Sequence, residues 1–199
     1  WVFALMYARA YEPEQRDTYA NVTEGNIRFE NVSFSDDGKH QILDNISFSV
    51  NKGETIAFVG STGSGKSSII NVFMRFYEFQ SGRVLLDGVD IRDYSQAELR
   101  KNIGLVLQEP FLYHGTIKSN IAMYQDLTDE EIKAAAEFVD ANHFIDKLPE
   151  GYGAPVSERG SSFSTGQRQL LAFARTVASQ PKILILDEAT ANIDSETEA

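Results

Sequence analysis

The pattern of apolar and polar residues predicts β-strands in the first part of the chain. Residues typical of strands recur, with imperfect alternation, over Ile27–Phe34 and Ile42–Val50, and turn-forming residues 36–39 separate the two segments. A second turn at 51–53 precedes Thr55–Val59, which we expect to form a short buried strand. The chain therefore starts with an antiparallel, β-rich region.

Helical patterns alternate with strands in the rest of the chain. An apolar-faced helix is predicted after Lys66, ending near Tyr77, and strands are predicted at 83–86 and 103–107. Residues 128–131 (Thr-Asp-Glu-Glu) form a capping-box pattern at the start of another helix. The apolar face of that helix carries Ile132, Ala135, Ala136 and Val139.

The last elements indicate the fold class. A helix predicted over 166–179 is followed by Lys182–Leu186, a continuous apolar strand of the kind that is buried on both faces of a parallel sheet. Strands followed by a βα core with inserted helices predict an α/β fold. We expect an α/β core with an N-terminal antiparallel β-subdomain and an inserted α-helical subdomain.

Composition narrows the possible partners. With 199 residues, of which 42% are hydrophobic, the chain can bury one substantial core. The net charge of -11 argues against binding to nucleic acid or to anionic lipid. The absence of cysteine excludes disulfides and thiolate metal sites, and no apolar run approaches the roughly 20 residues of a membrane helix.

A phosphate-binding loop lies between the predicted strand at 55–59 and the helix after it. Its glycines let backbone amides turn toward phosphate oxygens, and the following helix directs its positive end to the same anion. Lys66 can reach the β- and γ-phosphates, and the Ser67 hydroxyl can bind Mg²⁺. The segment predicts a phosphate-loop NTPase core. It also predicts binding of ATP and Mg²⁺ by Gly60, Ser61, Thr62, Gly63, Ser64, Gly65, Lys66, Ser67 and Ser68.

Two acidic residues complete this prediction. Asp187 and Glu188 follow the apolar strand, at the sheet edge where open α/β folds bind ligands. Asp187 is the expected Mg²⁺ partner, usually through water, and Glu188 can deprotonate the attacking water. The Asn-Lys-x-Asp pattern that specifies guanine is absent after the loop, so guanine specificity is unsupported.

From about Gly25 onward, the chain resembles the nucleotide-binding domain of exporter-type ATP-binding cassette transporters. The segments that carry the resemblance are the signature-like Phe163–Gln169, the Q-loop-like Gln108–Pro110, the exporter-type loop Val156–Gly160 and the D-loop-like Ala191–Asp194. The resemblance implies that Gln108 contacts Mg²⁺ or the attacking water and that Asp194 belongs to the D-loop. It also implies that two cassettes dimerise head to tail, with one signature capping the ATP of the other. The residues expected to face the partner's ATP are Ser164, Thr165, Gly166 and Gln167.

The resemblance also implies a domain organisation and a location. Residues 1–24 are expected to link a transmembrane domain, fused at the N-terminal side, to the cassette at 25–199, whose helical subdomain covers about 109–165. The intact protein would act at the cytoplasmic face of the cell membrane, powering export. Contact with the membrane domain and ordinary packing are equally open for Phe111, Leu112 and Tyr113.

Three departures from the family pattern carry further expectations. Asp36 stands where an adenine-stacking aromatic is usual, whereas Phe34 is expected in the core, so weaker nucleotide binding is predicted unless His40 or another residue stacks. Thr165 stands where the family usually has glycine, and a β-branched residue disfavours positive φ. A signature weakened in this way is expected in one half of an asymmetric pair of cassettes. A heterodimer is therefore favoured over a homodimer that tolerates Thr165. The switch histidine is expected beyond Ala199, in a domain truncated after the D-loop, so the 199 residues alone should hydrolyse ATP weakly.

Three alternatives remain open from the sequence. A cassette ATPase of the DNA-repair type would carry long coiled coils between Lys66 and Asp187, and no sustained heptads occur there. The second alternative is a separate importer subunit that docks on a permease. The loop at 158–160 favours a fused exporter over this alternative. A nucleotide-sensing module without catalysis is the third.

Overall fold

The computed structural model describes residues 20–36, 38–61, 63–157 and 160–187. The chain divides into two units between Leu99 and Arg100, within helix α2 (Gln96–Asn102). Strands and helices occur in both units, so the predicted α/β class is confirmed.

A four-stranded antiparallel sheet forms the centre of the first unit. Its strands lie in the order β2-β1-β3-β4 and comprise β1 (Ile27–Ser35), β2 (Gln41–Val50), β3 (Ser81–Leu86) and β4 (Val89–Asp90). Register shifts between β1 and β2 near Val32 and Phe34 explain why the alternation in the sequence is imperfect. The buried side chains of this sheet include Phe29, Val32, Phe34, Leu43, Val84 and Leu86.

The turn between β3 and β4 is a tight two-residue connection. Leu86 pairs with Val89, and both residues between them have positive φ, 50° at Asp87 and 82° at Gly88. Two positive φ angles are typical of a type I′ hairpin turn, for which Asp-Gly is a preferred sequence.

The predicted strand at Thr55–Val59 is wrong. This segment has no strand conformation, and Ile56, Phe58 and Val59 are 43%, 38% and 95% exposed. A strand requires a neighbouring strand to pair its backbone groups. Among the described residues no strand pairs with this segment, so its apolar composition does not produce one.

The helix after the glycine-rich loop is shorter than predicted. Helix α1 covers Lys66–Phe73 and buries Val72 and Phe73, and Met74 is its C-cap. Arg75 follows with a φ of 54°, a left-handed conformation that stops helix propagation before Tyr77. Tyr77 instead stacks on Phe34, with ring centroids 5.5 Å apart.

Parallel strands lie in the second unit. Strands β5 (Ile103–Val106) and β8 (Ile183–Leu186) pair in parallel, as the apolar pattern predicts. A Cβ at Gly104 would lie 2.5 Å from Thr176 Cγ2, so the close approach of the chain at β5 requires glycine. Burial on both faces of β8 was wrongly predicted, because Leu184 and Leu186 are each 41% exposed in a sheet of two described strands.

Helices pack into one core in the second unit. They are α3 (Ile117–Ala122), α4 (Asp129–Phe138), α5 (Asn142–Ile145) and α6 (Thr165–Ala178), with a short hairpin of β6 (Gly115–Thr116) and β7 (Pro155–Val156). The Thr128–Glu131 capping box is confirmed, because the Thr128 Oγ1 accepts from the Glu131 amide at 3.2 Å and the Glu131 carboxylate accepts from the Thr128 amide at 2.8 Å.

Leu112 is fully buried in this core, which settles its role as packing. No helix in the described ranges is both long enough and apolar enough to cross a bilayer.

Candidate nucleotide site

The glycine-rich loop before α1 uses conformations that side chains would disfavour. Gly63 and Gly65 have φ angles of 82° and 91°. A Cβ at Gly65 would also lie 3.0 Å from both the Ile42 carbonyl oxygen and the Leu43 Cδ2 atom, so glycine is required for conformation and for space. Within the loop the Ser64 amide donates to the Ser61 carbonyl oxygen at 3.1 Å. Thr62 lies outside the described residues.

Helix α1 begins without a side-chain cap. Gly65 is its N-cap residue, and the first bond onto that residue runs from the Ile69 amide to the Gly65 carbonyl oxygen at 3.1 Å. The first amides of any α-helix have no intrahelical acceptor, and they carry the positive end of the helix dipole. The start of α1, with Ser67 exposed and Ser68 partly buried, therefore fits an anion with several oxygen atoms, such as phosphate.

Lys66 brings a positive charge to the same loop. Its Nζ donates to the carbonyl oxygens of Gly60 at 2.8 Å and Ser61 at 3.0 Å. These two bonds hold the ammonium group across the loop, and the third N–H remains for another acceptor. Hydrogen-bond donors, a cation and a helix N-terminus thus occur together within residues 60–68. This donor set matches the chemistry of a nucleotide polyphosphate.

Gln108 and Asp187 lie at one edge of the parallel sheet in the second unit. Gln108 follows the end of β5 by two residues, and Asp187 directly follows β8. The Asp187 amide donates to the Val106 carbonyl oxygen at 3.0 Å, which extends the pairing of the two strands to this point. Both residues are therefore at the carboxyl end of neighbouring parallel strands, as predicted. Glu188 and Asp194 lie outside the described residues.

The predicted signature segment forms the start of α6. Ser164 is the N-cap residue, and its Oγ accepts from the Gln167 amide at 3.1 Å while the Gln167 Oε1 accepts from the Ser164 amide at 3.0 Å. Ser164 thus caps the helix, and its hydroxyl proton remains available as a donor. Thr165 and Gly166 occupy the first helical turn.

Thr165 has an ordinary helical backbone. It is the first residue of α6 and is not among the residues with positive φ, so its β-branched side chain introduces no backbone strain. Arg168 donates to the Thr165 Oγ1 at 3.0 Å and to the Phe163 carbonyl oxygen at 2.7 Å. The conformational reason for treating Thr165 as a defect in the signature is therefore not supported.

Two polar residues on α6, Gln169 and Arg175, make long-range contacts that the sequence did not predict. Gln169 is 3% exposed and donates from Nε2 to the Gln108 carbonyl oxygen at 3.2 Å. Arg175 donates to the backbone carbonyl oxygens of Asn120 at 2.7 Å and Phe111 at 2.9 Å, and to the Asn120 Oδ1 at 3.0 Å. The signal in the sequence that could have identified them is a polar residue at a position of α6 whose neighbours on the same helix face are apolar.

The segment after Gln108 exposes two aromatic rings. Phe111 and Tyr113 are 49% and 46% exposed, and their ring centroids are 4.9 Å apart in an edge-to-face arrangement. Phe34, in the first unit, is 3% exposed and is confirmed as a core residue. Asp36 follows the end of β1, and the group that stacks on an adenine stays an open prediction.

Comparison with protein-family models matches residues 43–191 to the family described as ABC transporter. The ABC transporter ATP-binding protein exp8 of Streptococcus pneumoniae is 82% identical over 198 residues, which is 100% of this chain and 34% of that protein. A multidrug resistance ABC transporter ATP-binding/permease protein of Bacillus subtilis, YheH, is 52% identical over 176 residues, covering 88% of this chain and 26% of that protein.

A solved structure shares the fold. The structure of a bacterial Atm1-family ABC exporter with ATP bound matches with a TM-score of 0.87 and 38% identity, over 98% of this chain and 35% of that one. The chain thus spans about a third or less of the length of these relatives.

Proposed function

Since this chain belongs to the ABC transporter family, we propose that it is the cassette that binds and hydrolyses ATP in an exporter. The observation that carries the proposal is the start of α1, where uncapped helix amides and the Lys66 ammonium lie together in a glycine-rich loop. The Atm1-family exporter was solved with ATP bound, which supports the same ligand for this chain.

The residues of this chain would take separate roles toward ATP. The backbone of residues 60–68 would bind the phosphates, and Lys66 would bind the β- and γ-phosphate oxygens. Each of Ser67, Gln108 and Asp187 carries an oxygen of the kind that Mg²⁺ prefers, and the family resemblance would assign all three to the ion. Mg²⁺, when bound, neutralises charge on the phosphates. Glu188 would accept a proton from the attacking water.

The intact protein would couple this chemistry to transport. The name of the Bacillus subtilis relative combines ATP-binding and permease functions, which supports a transmembrane domain fused to this cassette and a place at the cytoplasmic face of the membrane. A second cassette would bring its signature to the ATP bound here. The helical conformation of Thr165 supports a working signature in this chain, whereas the heterodimer remains a prediction from the sequence.

Replacing the loop lysine tests the nucleotide assignment. Lys66→Ala removes the cation and its hydrogen bonds, so we expect affinity for Mg·ATP to fall about tenfold to a hundredfold in the intact protein. Isothermal titration of the variant against the wild type measures this change.

Lys118→Ala is the matched control. Lys118 is half exposed and pairs with Asp129 outside the loop, so its removal should leave ATP affinity unchanged. Equal affinity of the Lys66→Ala variant and the wild type would refute the assignment of the loop.

A further inference from the structure

Gln169 joins the signature helix to the segment that carries Gln108. Its side chain is 3% exposed, and its Nε2 donates to the Gln108 carbonyl oxygen at 3.2 Å across 61 residues of sequence. Gln169 lies two residues after Gln167, whose side chain closes the capping box with Ser164. One buried side chain therefore connects the first part of α6 to the residue two positions after the end of β5.

The orientation of this amide is fixed by chemistry. The carbonyl oxygen of Gln108 can only accept a hydrogen bond, so the Gln169 Nε2 must face it. An exchange of the two amide atoms would bring two acceptors together. The Gln169 Oε1, in turn, is buried without a hydrogen-bond partner among the described residues.

This arrangement is poor for stability. A buried acceptor without a partner costs free energy, and a single bond of 3.2 Å to a partly exposed carbonyl offsets only part of that cost. Leucine has a similar volume and would remove the unpaired oxygen. The feature that distinguishes an amide from leucine here is its hydrogen bond to the Gln108 carbonyl oxygen.

We propose that Gln169 is a positioning residue that couples the signature segment 164–167 to Gln108. A helix transmits a shift of its first turn along its backbone because its hydrogen bonds are continuous. When the signature engages the phosphates of a nucleotide on a partner cassette, the Gln169 amide would carry that displacement to the Gln108 backbone. The coupling rests on the proposed function, because it needs a partner cassette with ATP.

Hydrogen exchange of residues 107–112 measures the coupling directly. In the intact protein, binding of Mg²⁺ with the non-hydrolysable analogue AMP-PNP should slow exchange in this segment. Gln169→Leu should abolish most of that slowing, while the midpoint of thermal unfolding stays equal to or above that of the wild type. The half-saturating Mg²⁺ concentration for ATP hydrolysis should rise about threefold to tenfold, the factor for one hydrogen bond of ordinary strength.

Gln169→Glu provides a rescue. An ionised carboxylate cannot donate to the Gln108 carbonyl, whereas a protonated carboxyl can, and burial favours the protonated form. This variant should behave like Gln169→Leu near about pH 8 and like the wild type near about pH 5.5. Gln125→Leu and Gln125→Glu, the same two changes at an exposed position, should match the wild type at both pH values.

The outcomes separate the two proposals. Wild-type slowing of exchange in Gln169→Leu, or a lowered unfolding midpoint without any change at 107–112, would overturn the coupling and leave Gln169 as a packing residue. Failure of the wild-type protein to bind AMP-PNP in a direct titration would overturn the proposed function instead.

Discussion

At the scale of single residues, Asp87 anchors the beginning of the described chain. Its two carboxylate oxygens accept hydrogen bonds from the backbone amides of residues 23–26, at 2.7 to 3.2 Å. Partial burial alone would raise the pKa of this carboxyl, but the bonds from Asn26, Thr23, Gly25 and Glu24 outweigh it and lower the pKa to about 2. The positive φ of the Asp87–Gly88 turn places this carboxylate beside the residues that lead into β1.

This low pKa gives a test by pH. A folded-state pKa of about 2, below the ordinary 3.8, means that the ionised form stabilises the fold above about pH 4, and the contribution is lost as the pH falls toward 2. Asp87→Asn places an amide against backbone donors, and we expect the free energy of unfolding at pH 7 to fall by about 1 kcal/mol after allowance for solvent screening. Urea unfolding between pH 7 and pH 2 should show the difference shrinking below about pH 4. Asp126→Asn, at an exposed position, is the control. If the difference in the free energy of unfolding between the wild type and Asp87→Asn does not change with pH, the low pKa of Asp87 is contradicted.

At the scale of elements, α6 holds the segment from Phe111 to Asn120 through one guanidinium group. Burial lowers the pKa of Arg175, and its side chain still contacts two carbonyl oxygens, the Asn120 Oδ1 and the ring of Tyr113. Asn120 is 1% exposed and in turn exchanges hydrogen bonds with the Tyr113 backbone at 2.8 Å in both directions. The exposed aromatic pair is thus supported by a buried polar network of Arg175 and Asn120.

Arg175→Lys tests this support. A lysine ammonium cannot reproduce the planar fork that reaches three acceptors, so we expect the free energy of unfolding to fall by about 2 kcal/mol. Hydrogen exchange of residues 111–116 should accelerate, while α4 is unaffected. Arg83→Lys, in an exposed pair with Glu30 at 2.7 Å, is the matched control and should cost less than about 0.5 kcal/mol. Equal losses in both variants would contradict a special role for Arg175.

The same scale shows what periodicity can and cannot predict. Strands β1 and β2 were predicted because alternation reports local burial, and α4 because Thr128 and Glu131 act within one turn. Thr55–Val59 was wrongly predicted because a strand depends on a partner distant in sequence, which composition does not specify. The length of α1 was missed because the left-handed φ falls on Arg75, a residue without a turn signature.

At the scale of the whole molecule, the candidate site was predictable where chemistry is local in sequence. The loop at 60–67 carries its glycines, lysine and helix start within eight residues, so one motif was sufficient. The contact of Gln169 with Gln108 spans 61 residues, and the contacts of Arg175 with Phe111 and Asn120 span 64 and 55. No local pattern encodes such pairs, and only the fold brings them together.

The proposed head-to-tail dimer predicts complementation between two inactive variants. Lys66→Ala would weaken ATP binding in its own cassette and remove the cation expected at the β- and γ-phosphates. Gly166→Asp would place a negative charge near the partner's phosphates, at a helix N-terminus where an acidic side chain does not disturb the fold. In a homodimer, equal co-expression should restore about a quarter of wild-type ATP hydrolysis, because about half of the dimers are mixed and each holds one intact site. Each variant alone should be inactive. The control is co-expression of two differently tagged copies of the Lys66→Ala variant, which should also be inactive. If the mixture stays inactive, ATP sites shared between two copies of this chain are excluded. If the wild-type protein hydrolyses ATP only together with a different cassette, the heterodimer is established, and Thr165 would then face the nucleotide of that partner.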